Sequence, residues 1–322
     1  MTDWMIVKRR LPIRVFVVAV ATAIAAAWPA AAQKRAVPEV AVFTVDSTLV
    51  LVPVTVVDRR GAMVTGLPKE AFTLTEDGVA QPVRSFSEED APVSIGVVLD
   101  LSGSMKRDLN SAKESLRSLM RDANPADEAF LNAVSTQPRA YSGFTQDFGD
   151  VLSRVASEDA FGTTALIDTI EDSLQESRSG TRARKALLVI SDGMDNHSRY
   201  TREDLLRTAE ESDAQIYTIA VVTAVNPVQP PKPMVMTESK RGLLFLEDLA
   251  EKSGGISFAV SGRTDIAKAA ASIGQALRNQ YVIGYAPPPR GDAAGSGKRH
   301  KIAVKVAGQG LRAYARAGYR LD

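Results

Sequence analysis

The chain contains no cysteine and only two histidines among its 322 residues. The lack of cysteine excludes disulfides, thiolate metal sites and a cysteine nucleophile. Aromatic residues are also scarce, at 6%, and no basic stripe interleaved with aromatics is present, so the sequence lacks the pattern of a nucleic-acid-binding protein. Neither Gly-x-Ser-x-Gly nor Gly-x-x-x-x-Gly-Lys-Ser/Thr occurs, which removes the sequence signatures of serine hydrolases and of P-loop nucleotide-binding proteins.

Long apolar runs are missing except near the beginning of the chain. There, a basic stretch that includes Lys8 and Arg14 precedes the apolar run 15–28 and the ending Ala30-Ala31-Ala32. This pattern predicts a secretory signal peptide over residues 1–32 and export to the periplasm or the exterior. An uncleaved anchor helix is the alternative interpretation. Removal of residues 1–32 takes away four basic residues and one acidic residue and changes the formal net charge from +1 to −2.

The character of the sequence changes twice along the remaining chain. Residues 39–90 are rich in β-branched residues and turn signals, and they predict an N-terminal β segment. From 91 to 279 apolar runs alternate with helical patterns, and from 280 to 322 the β pattern returns. Because the two β segments flank the alternating region, we expect them to pair into one small sheet or sandwich.

The alternating region predicts a doubly wound α/β fold, in which a mostly parallel sheet carries helices on both faces, because alternating strands and helices need crossover connections. The predicted strands cover residues 93–99, 128–134, 185–191, 215–222 and 256–260. The predicted helices cover residues 108–122, 150–156, 164–177, 202–212, 243–252 and 265–279.

Local signals add detail to these elements. Thr201 followed by Asp204 is typical of a capping box, and Thr264 is typical of a helix N-cap. Pro53 lies in a β-branched run and favours an edge position for that strand, because proline cannot donate to the ladder.

Two of the predicted strands end in carboxylates. Asp100-Leu101-Ser102-Gly103-Ser104 follows the apolar run 93–99, and Asp192 follows the run 185–191. The carboxyl ends of such strands are where open α/β sheets bind ligands. Thr164 adds a hydroxyl at the beginning of a predicted helix, where free backbone N–H groups and the helix dipole would complement an anion bound to a metal.

Together these residues form an all-oxygen set suited to a divalent cation. The set comprises Asp100, Ser102, Ser104, Thr164 and Asp192. Oxygen ligands without histidine or cysteine predict Mg²⁺, Mn²⁺ or Ca²⁺ and argue against Zn²⁺.

The three segments that supply this set resemble, in order and context, the metal-ion-dependent adhesion site of von Willebrand factor type A domains. The resemblance covers residues 93–280. It implies that Ser102 and Ser104 bind the metal directly, and that Asp100 and Asp192 do so through water or directly according to state.

The same resemblance implies that the threonine ligand binds directly or through water. The family pattern Gly-Gly-Thr-Ala-Leu places Thr163 where a glycine is expected, and so favours Thr164 over Thr163 as that ligand.

The resemblance also implies a function. Few direct carboxylates leave the ion electrophilic, so it is expected to take its remaining ligand from an acidic side chain on a protein partner. The flanking segments 70–78 and 280–285, with the ending 317–319, resemble exported bacterial, often acidobacterial, proteins of this family. We therefore expect an exported, non-enzymatic binding module for adhesion, envelope assembly or a larger complex.

Two other functions stay open. A metal-dependent hydrolase that uses Asp100 and Asp192 is the enzymatic alternative, although the sequence offers it no evident general base. A structural envelope protein whose metal site captures no ligand is the third possibility.

Four further polar residues have both a functional and a structural interpretation, and a fifth has only a structural one. Asp195, Asn196 and His197 either tune the site or contact a partner, or they simply cap a loop. Asp168 either supports the site or complements a helix N-terminus. His300, among basic neighbours, is expected to be solvated.

Overall fold

The computed structural model describes residues 49–88, 90–222, 237–288 and 299–320. The expected signal peptide over residues 1–32 lies outside the described residues. Within those ranges, none of the helices has both the length and the apolar character needed to cross a membrane.

The predicted strands and helices are present in the predicted order, and the structure contains additional short strands between them. The strands are β1 (Val50–Val57), β2 (Phe72–Glu76), β3 (Val79–Gln81), β4 (Ser85–Glu88), β5 (Val93–Asp100), β6 (Glu128–Val134), β7 (Arg139–Thr145), β8 (Arg184–Ser191), β9 (Ala214–Val221), β10 (Ser257–Val260), β11 (Tyr281–Tyr285), β12 (Arg299–Val306), β13 (Arg312–Ala315) and β14 (Gly318–Arg320). The α-helices are α1 (Leu109–Arg121), α2 (Phe148–Ala156), α3 (Leu166–Ser177), α4 (Arg202–Glu211), α5 (Glu238–Ser253) and α6 (Arg263–Arg278).

A six-stranded sheet in the order β10-β9-β8-β5-β6-β7 forms the centre of the α/β region. All pairings in it are parallel except that between β6 and β7. Every residue of β5, β6 and β9 is buried, which explains why these strands are apolar runs rather than alternating patterns.

Helices cover both faces of this sheet. Apolar side chains of α1, α2 and α6 pack on one face, and those of α3, α4 and α5 pack on the other. The predicted doubly wound fold class is therefore confirmed.

The connections place a crevice between β5 and β8. From β5 the chain continues into β6 on one side, and it later returns to form β8 on the other side of β5. At such a switch point the loops that follow the two strands diverge, which leaves room for a ligand at the carboxyl edge. Asp100 ends β5, and Asp192 directly follows β8.

The flanking β segments form two further sheets, ordered β13-β1-β11-β4 and β14-β12-β2-β3. Each sheet combines strands from both ends of the described chain, and neighbouring strands in both pair antiparallel. One core cluster joins the two sheets, with Val54 and Ile283 from the first and Leu74 and Ile302 from the second. The expected pairing of the flanking segments is confirmed.

Some local predictions were wrong. The strand of Pro53 lies inside its sheet, but β13 pairs only with residues 54–57, so Pro53 has a strand neighbour on one side only. Thr264 lies within the first turn of α6, because Gly262, at a φ of 103°, is the N-cap. The edge strand β7 was not predicted. His300 is buried rather than solvated, because it packs against Tyr319 on the neighbouring strand.

Candidate metal centre

Asp100 is a buried carboxylate at the end of β5. Its Oδ1 accepts a hydrogen bond from the backbone N–H of Ser102 at 2.8 Å, and its Oδ2 accepts one from the Ser191 hydroxyl at 2.6 Å. Burial raises the pKa of Asp100 to about 6; the hydrogen bonds from Ser102 and Ser191 oppose this rise, and the neighbouring Asp192 carboxylate adds to it.

Asp192 lies beside Asp100 and is also buried. Its Oδ1 accepts a hydrogen bond from the backbone N–H of Met194 at 3.1 Å. Its Oδ2 is buried and has no hydrogen-bond partner among the described residues. Buried acceptors without a donor are uncommon because desolvation costs free energy, so this oxygen marks a place that a cation would complete.

Two hydroxyls lie next to these carboxylates. Ser102 is buried and Ser104 is exposed, and their Oγ atoms are 3.1 Å apart. Ser102 has an extended backbone conformation and directly precedes a short 3-10 turn, Gly103–Arg107. This turn places Ser104 at the exposed rim of the site.

Thr164 is buried, whereas Thr163 is exposed. The backbone N–H of Thr164 donates to Asn196 Oδ1 at 2.9 Å, and the Thr164 carbonyl accepts hydrogen bonds from the N–H groups of Asn196 and His197 at 3.0 and 3.1 Å. Just before it, the N–H of Phe161 donates to the carbonyl of Leu101 at 2.9 Å. The loop that carries Thr164 is therefore bonded to both loops that carry the carboxylates. Ligation by any of the five residues stays a prediction.

Side chains cap the beginning of α3, contrary to the expectation of free N–H groups there. Ile167 N–H donates to Asp195 Oδ2 at 3.0 Å, and Asp168 N–H donates to the Ser198 hydroxyl at 3.1 Å. With the Thr164 bond to Asn196, three donors near this helix end are already used. They are not available to an anion, and the loop after Asp192 instead holds Thr164 in place.

The carboxylate of Asp168, in the first turn of α3, also holds the loop that follows Asp192. Its carboxylate accepts the backbone N–H groups of Arg199 and Tyr200 at 2.9 and 3.1 Å and the Arg199 Nε–H at 3.0 Å. Burial alone would raise the pKa of Asp168, but these donors outweigh burial and hold the pKa below its usual range. No local sequence pattern indicates the role of Arg199, because its partner Asp168 lies 31 residues away in the chain.

Gly193 brings the loop after Asp192 against α5. Its φ is 73°, and a Cβ atom added there would collide with the backbone of Gly242 in α5. Positive φ and the close approach both require glycine. The turn that aims Asp192 is thus set by backbone packing.

Residues 95–194 match the family model described as the von Willebrand factor type A domain. The matched range contains Asp100, Ser102, Ser104, Thr164 and Asp192. A search of the curated proteins gave no match.

Several solved structures resemble the chain. A von Willebrand factor type A protein from Catenulispora acidiphila is 13% identical, covers 87% of this chain and 76% of its own, and gives a TM-score of 0.48. The vWF domain of the type V pili tip protein Mfa5 from Porphyromonas gingivalis is 13% identical, covers 58% of this chain and 95% of its own, and gives a TM-score of 0.47. The PilB minor pilin from Streptococcus sanguinis is 14% identical, covers 60% of this chain and 62% of its own, and gives a TM-score of 0.44.

Proposed function

Because the chain carries a von Willebrand factor type A domain at residues 95–194, we propose that it is a binding module that captures an acidic side chain of a partner protein through a divalent cation. Mg²⁺ is the first choice, with Mn²⁺ and Ca²⁺ as alternatives. The observation that carries the proposal is the Asp192 Oδ2 atom, buried beside Asp100 without a hydrogen-bond donor among the described residues.

The residues at the carboxyl edge fit such a cation. The carboxylates of Asp100 and Asp192 are buried close together. Burial is the main cause of the raised pKa of Asp100, and the charge of Asp192 raises this pKa further. A cation between them would remove this repulsion, and the hydroxyls of Ser102 and Ser104 supply further neutral oxygens. An oxygen-only set suits Mg²⁺, Mn²⁺ or Ca²⁺.

The protein fixes these groups without help from the ion. Ser102 N–H and the Ser191 hydroxyl orient Asp100, and Asn196 holds the backbone of Thr164. Ser104 stays exposed at the rim. When bound, the cation supplies an electropositive centre that accepts a carboxylate oxygen from outside.

Side chains around the rim support a protein partner with acidic character. Phe161 is 58% exposed and Tyr200 is 44% exposed, and both lie on loops that contact the site. Exposed aromatic and arginine side chains are the residues that most often anchor interfaces. Lys106 and Arg107 are exposed in the turn Gly103–Arg107, and Arg199 is exposed on the loop of Tyr200. Arg107 and Arg199 form ion pairs with Asp108 and Asp168, so the charge of Lys106 is the one that best complements an acidic surface.

The proposal includes export and a non-enzymatic role. The signal-peptide pattern over residues 1–32 supports export. A place in adhesion or envelope assembly follows from the combination of export with a surface site built for capture.

The test is a random-peptide display library panned on the protein in Mg²⁺ and, in parallel, in chelator. We expect peptides with an acidic residue to be enriched in Mg²⁺ and lost in chelator, because the cation needs a carboxylate as its outer ligand. The absence of magnesium-dependent enrichment, or enrichment with no acidic residue, would contradict the proposal.

Matched serine variants make the test specific. Ser102→Ala is expected to abolish the magnesium-dependent enrichment. Ser177→Ala removes another buried serine hydroxyl, which donates to the Leu174 carbonyl within α3, and is expected to leave the enrichment unchanged. Equal loss in both variants would indicate a general folding defect and refute the assignment to Ser102.

A further inference from the structure

A second cluster of potential ligands lies in the sheet β14-β12-β2-β3, away from the carboxyl edge of the central sheet. Glu76 ends β2, Asp77 stands in the two-residue turn before β3, and His300 lies on β12. Glu76 and His300 are buried, with His300 only 3% exposed, while Asp77 is exposed. The three residues come from two segments more than 220 positions apart.

The ligand atoms of this cluster already have the spacing of a coordination shell. His300 Nδ1 lies 2.9 Å from Asp77 Oδ2 and 3.5 Å from Glu76 Oε1, and one ligand atom from each residue lies within 4.8 Å of the others. Bonds of about 2.0–2.1 Å to zinc place neighbouring ligand atoms of a tetrahedron roughly 3.3 Å apart. The observed distances bracket that value.

Neighbouring donors orient both carboxylates. The Tyr319 hydroxyl donates to Glu76 Oε1 at 3.1 Å, and the backbone N–H of Lys301 donates to Asp77 Oδ1 at 2.9 Å. Carboxylates that bind metals are held by hydrogen bonds of this kind. Asp77 has a φ of 49°, a conformation typical of a two-residue hairpin turn.

We propose that Glu76, Asp77 and His300 bind a divalent transition-metal ion, with Zn²⁺ as the best fit, and that this ion ties the β2–β3 hairpin to β12. The imidazole nitrogen favours zinc over magnesium, in contrast to the all-oxygen set at Asp100. In a chain without cysteine, such an ion supplies the kind of cross-link that a disulfide gives many exported proteins. The exposed Asp77 leaves a path by which the ion can enter.

The chain's two histidines allow a direct test. In protein with ¹⁵N-labelled histidine, kept in excess Mg²⁺, Zn²⁺ is added and the imidazole nitrogens are followed by NMR while calorimetry measures affinity. We expect one equivalent of zinc to shift the Nδ1 signal of His300 and to leave His197, which is exposed, unchanged. Zinc on His300 Nε2, or no shift at His300, would overturn the proposal and would favour a plain ion pair between His300 and the carboxylates.

Variants separate ligation from folding. His300→Gln and Asp77→Asn are each expected to weaken zinc binding about a hundredfold, whereas His197→Gln leaves it unchanged. Because Asp77 is an exposed turn residue, Asp77→Asn is expected to unfold within a few degrees of the wild type in chelator. Unchanged zinc affinity in Asp77→Asn and His300→Gln would refute the site, and it would do so whatever Ser102→Ala shows about magnesium.

Discussion

Asp100→Asn is expected to stabilise the metal-free protein and to remove its stabilisation by magnesium. The structural reason is the charge of a fully buried carboxylate that has no basic partner among the described residues. Asparagine can keep both hydrogen bonds of this position, since its Oδ1 accepts from Ser102 N–H and the Ser191 hydroxyl can accept from its amide group.

The magnitude follows from the pKa of Asp100, which burial raises from 3.8 to about 6. A difference of about two pKa units between folded and unfolded chains corresponds to about 3 kcal/mol. The pKa of Asp100 is higher in the folded chain than in the unfolded chain. The wild type therefore has the full contribution of this group to its stability below about pH 4 and loses it as the pH rises through 6. At pH 7.5 in chelator, Asp100→Asn should recover up to about 3 kcal/mol, with a gain in Tm of roughly 2–4 °C per kcal/mol.

Magnesium should remove most of the difference in stability between the two proteins. The wild type gains about 2.7 kcal/mol when the free ion is at a hundred times its Kd, whereas Asp100→Asn gains little because a carboxylate of the site is gone. Thermal unfolding is measured at pH 4.5 and 7.5, each in chelator and in Mg²⁺, and the advantage of Asp100→Asn in chelator should shrink at the lower pH.

Asp127→Asn is the matched control for Asp100→Asn. Asp127 is equally buried, but it is paired with Arg278 at 2.7 Å, so Asp127→Asn should lower the Tm in all conditions. A variant Asp100→Asn that is less stable than the wild type in chelator at pH 7.5, or that keeps the full response to Mg²⁺, would refute the reasoning.

Two further variants test the supports of the site. Asp168→Asn should lower the free energy of unfolding by about 1–2 kcal/mol at pH 7, because it weakens charge-assisted hydrogen bonds. Since the pKa of Asp168 is lowered in the folded chain, the difference in Tm from the wild type should shrink as the pH falls below about 4. A difference in Tm that stays constant with pH would contradict this. Gly193→Ala should cost at least about 3 kcal/mol, the sum of a positive φ and a backbone clash with α5. Gly66→Ala has the same φ of 73° with nothing within 4 Å, so chemical unfolding should show a loss of only about 1 kcal/mol, and equal losses would disprove the clash.

The sequence predicts the elements that depend on local pattern. The buried parallel strands read as apolar runs, so β5 and β6 were predicted within a residue, and the capping box of Thr201 and Asp204 is confirmed. Strand β7 was missed because it is a half-exposed edge strand without a continuous apolar run. Its pairing with β6 is also irregular.

Features that depend on distant partners could not be predicted. His300 lies among basic residues in the sequence, and only its pairing opposite Tyr319 and its bond to Asp77 bury it. The caps of α3 come from residues 195–198, about 30 positions after the helix begins. No local signal distinguishes these residues from an ordinary loop.

These long-range caps determine what a cation at Asp100 would contribute. The backbone of Thr164, the turn at Gly193 and the orientation of Asp100 are fixed by protein hydrogen bonds and packing. The charge of the buried carboxylates and the orphan Oδ2 of Asp192 remain without compensation from the described residues. A cation would therefore act mainly by neutralising charge, with little ordering of loops. For this reason its binding should change stability and its pH dependence far more than it changes the shape of the rim that a partner meets.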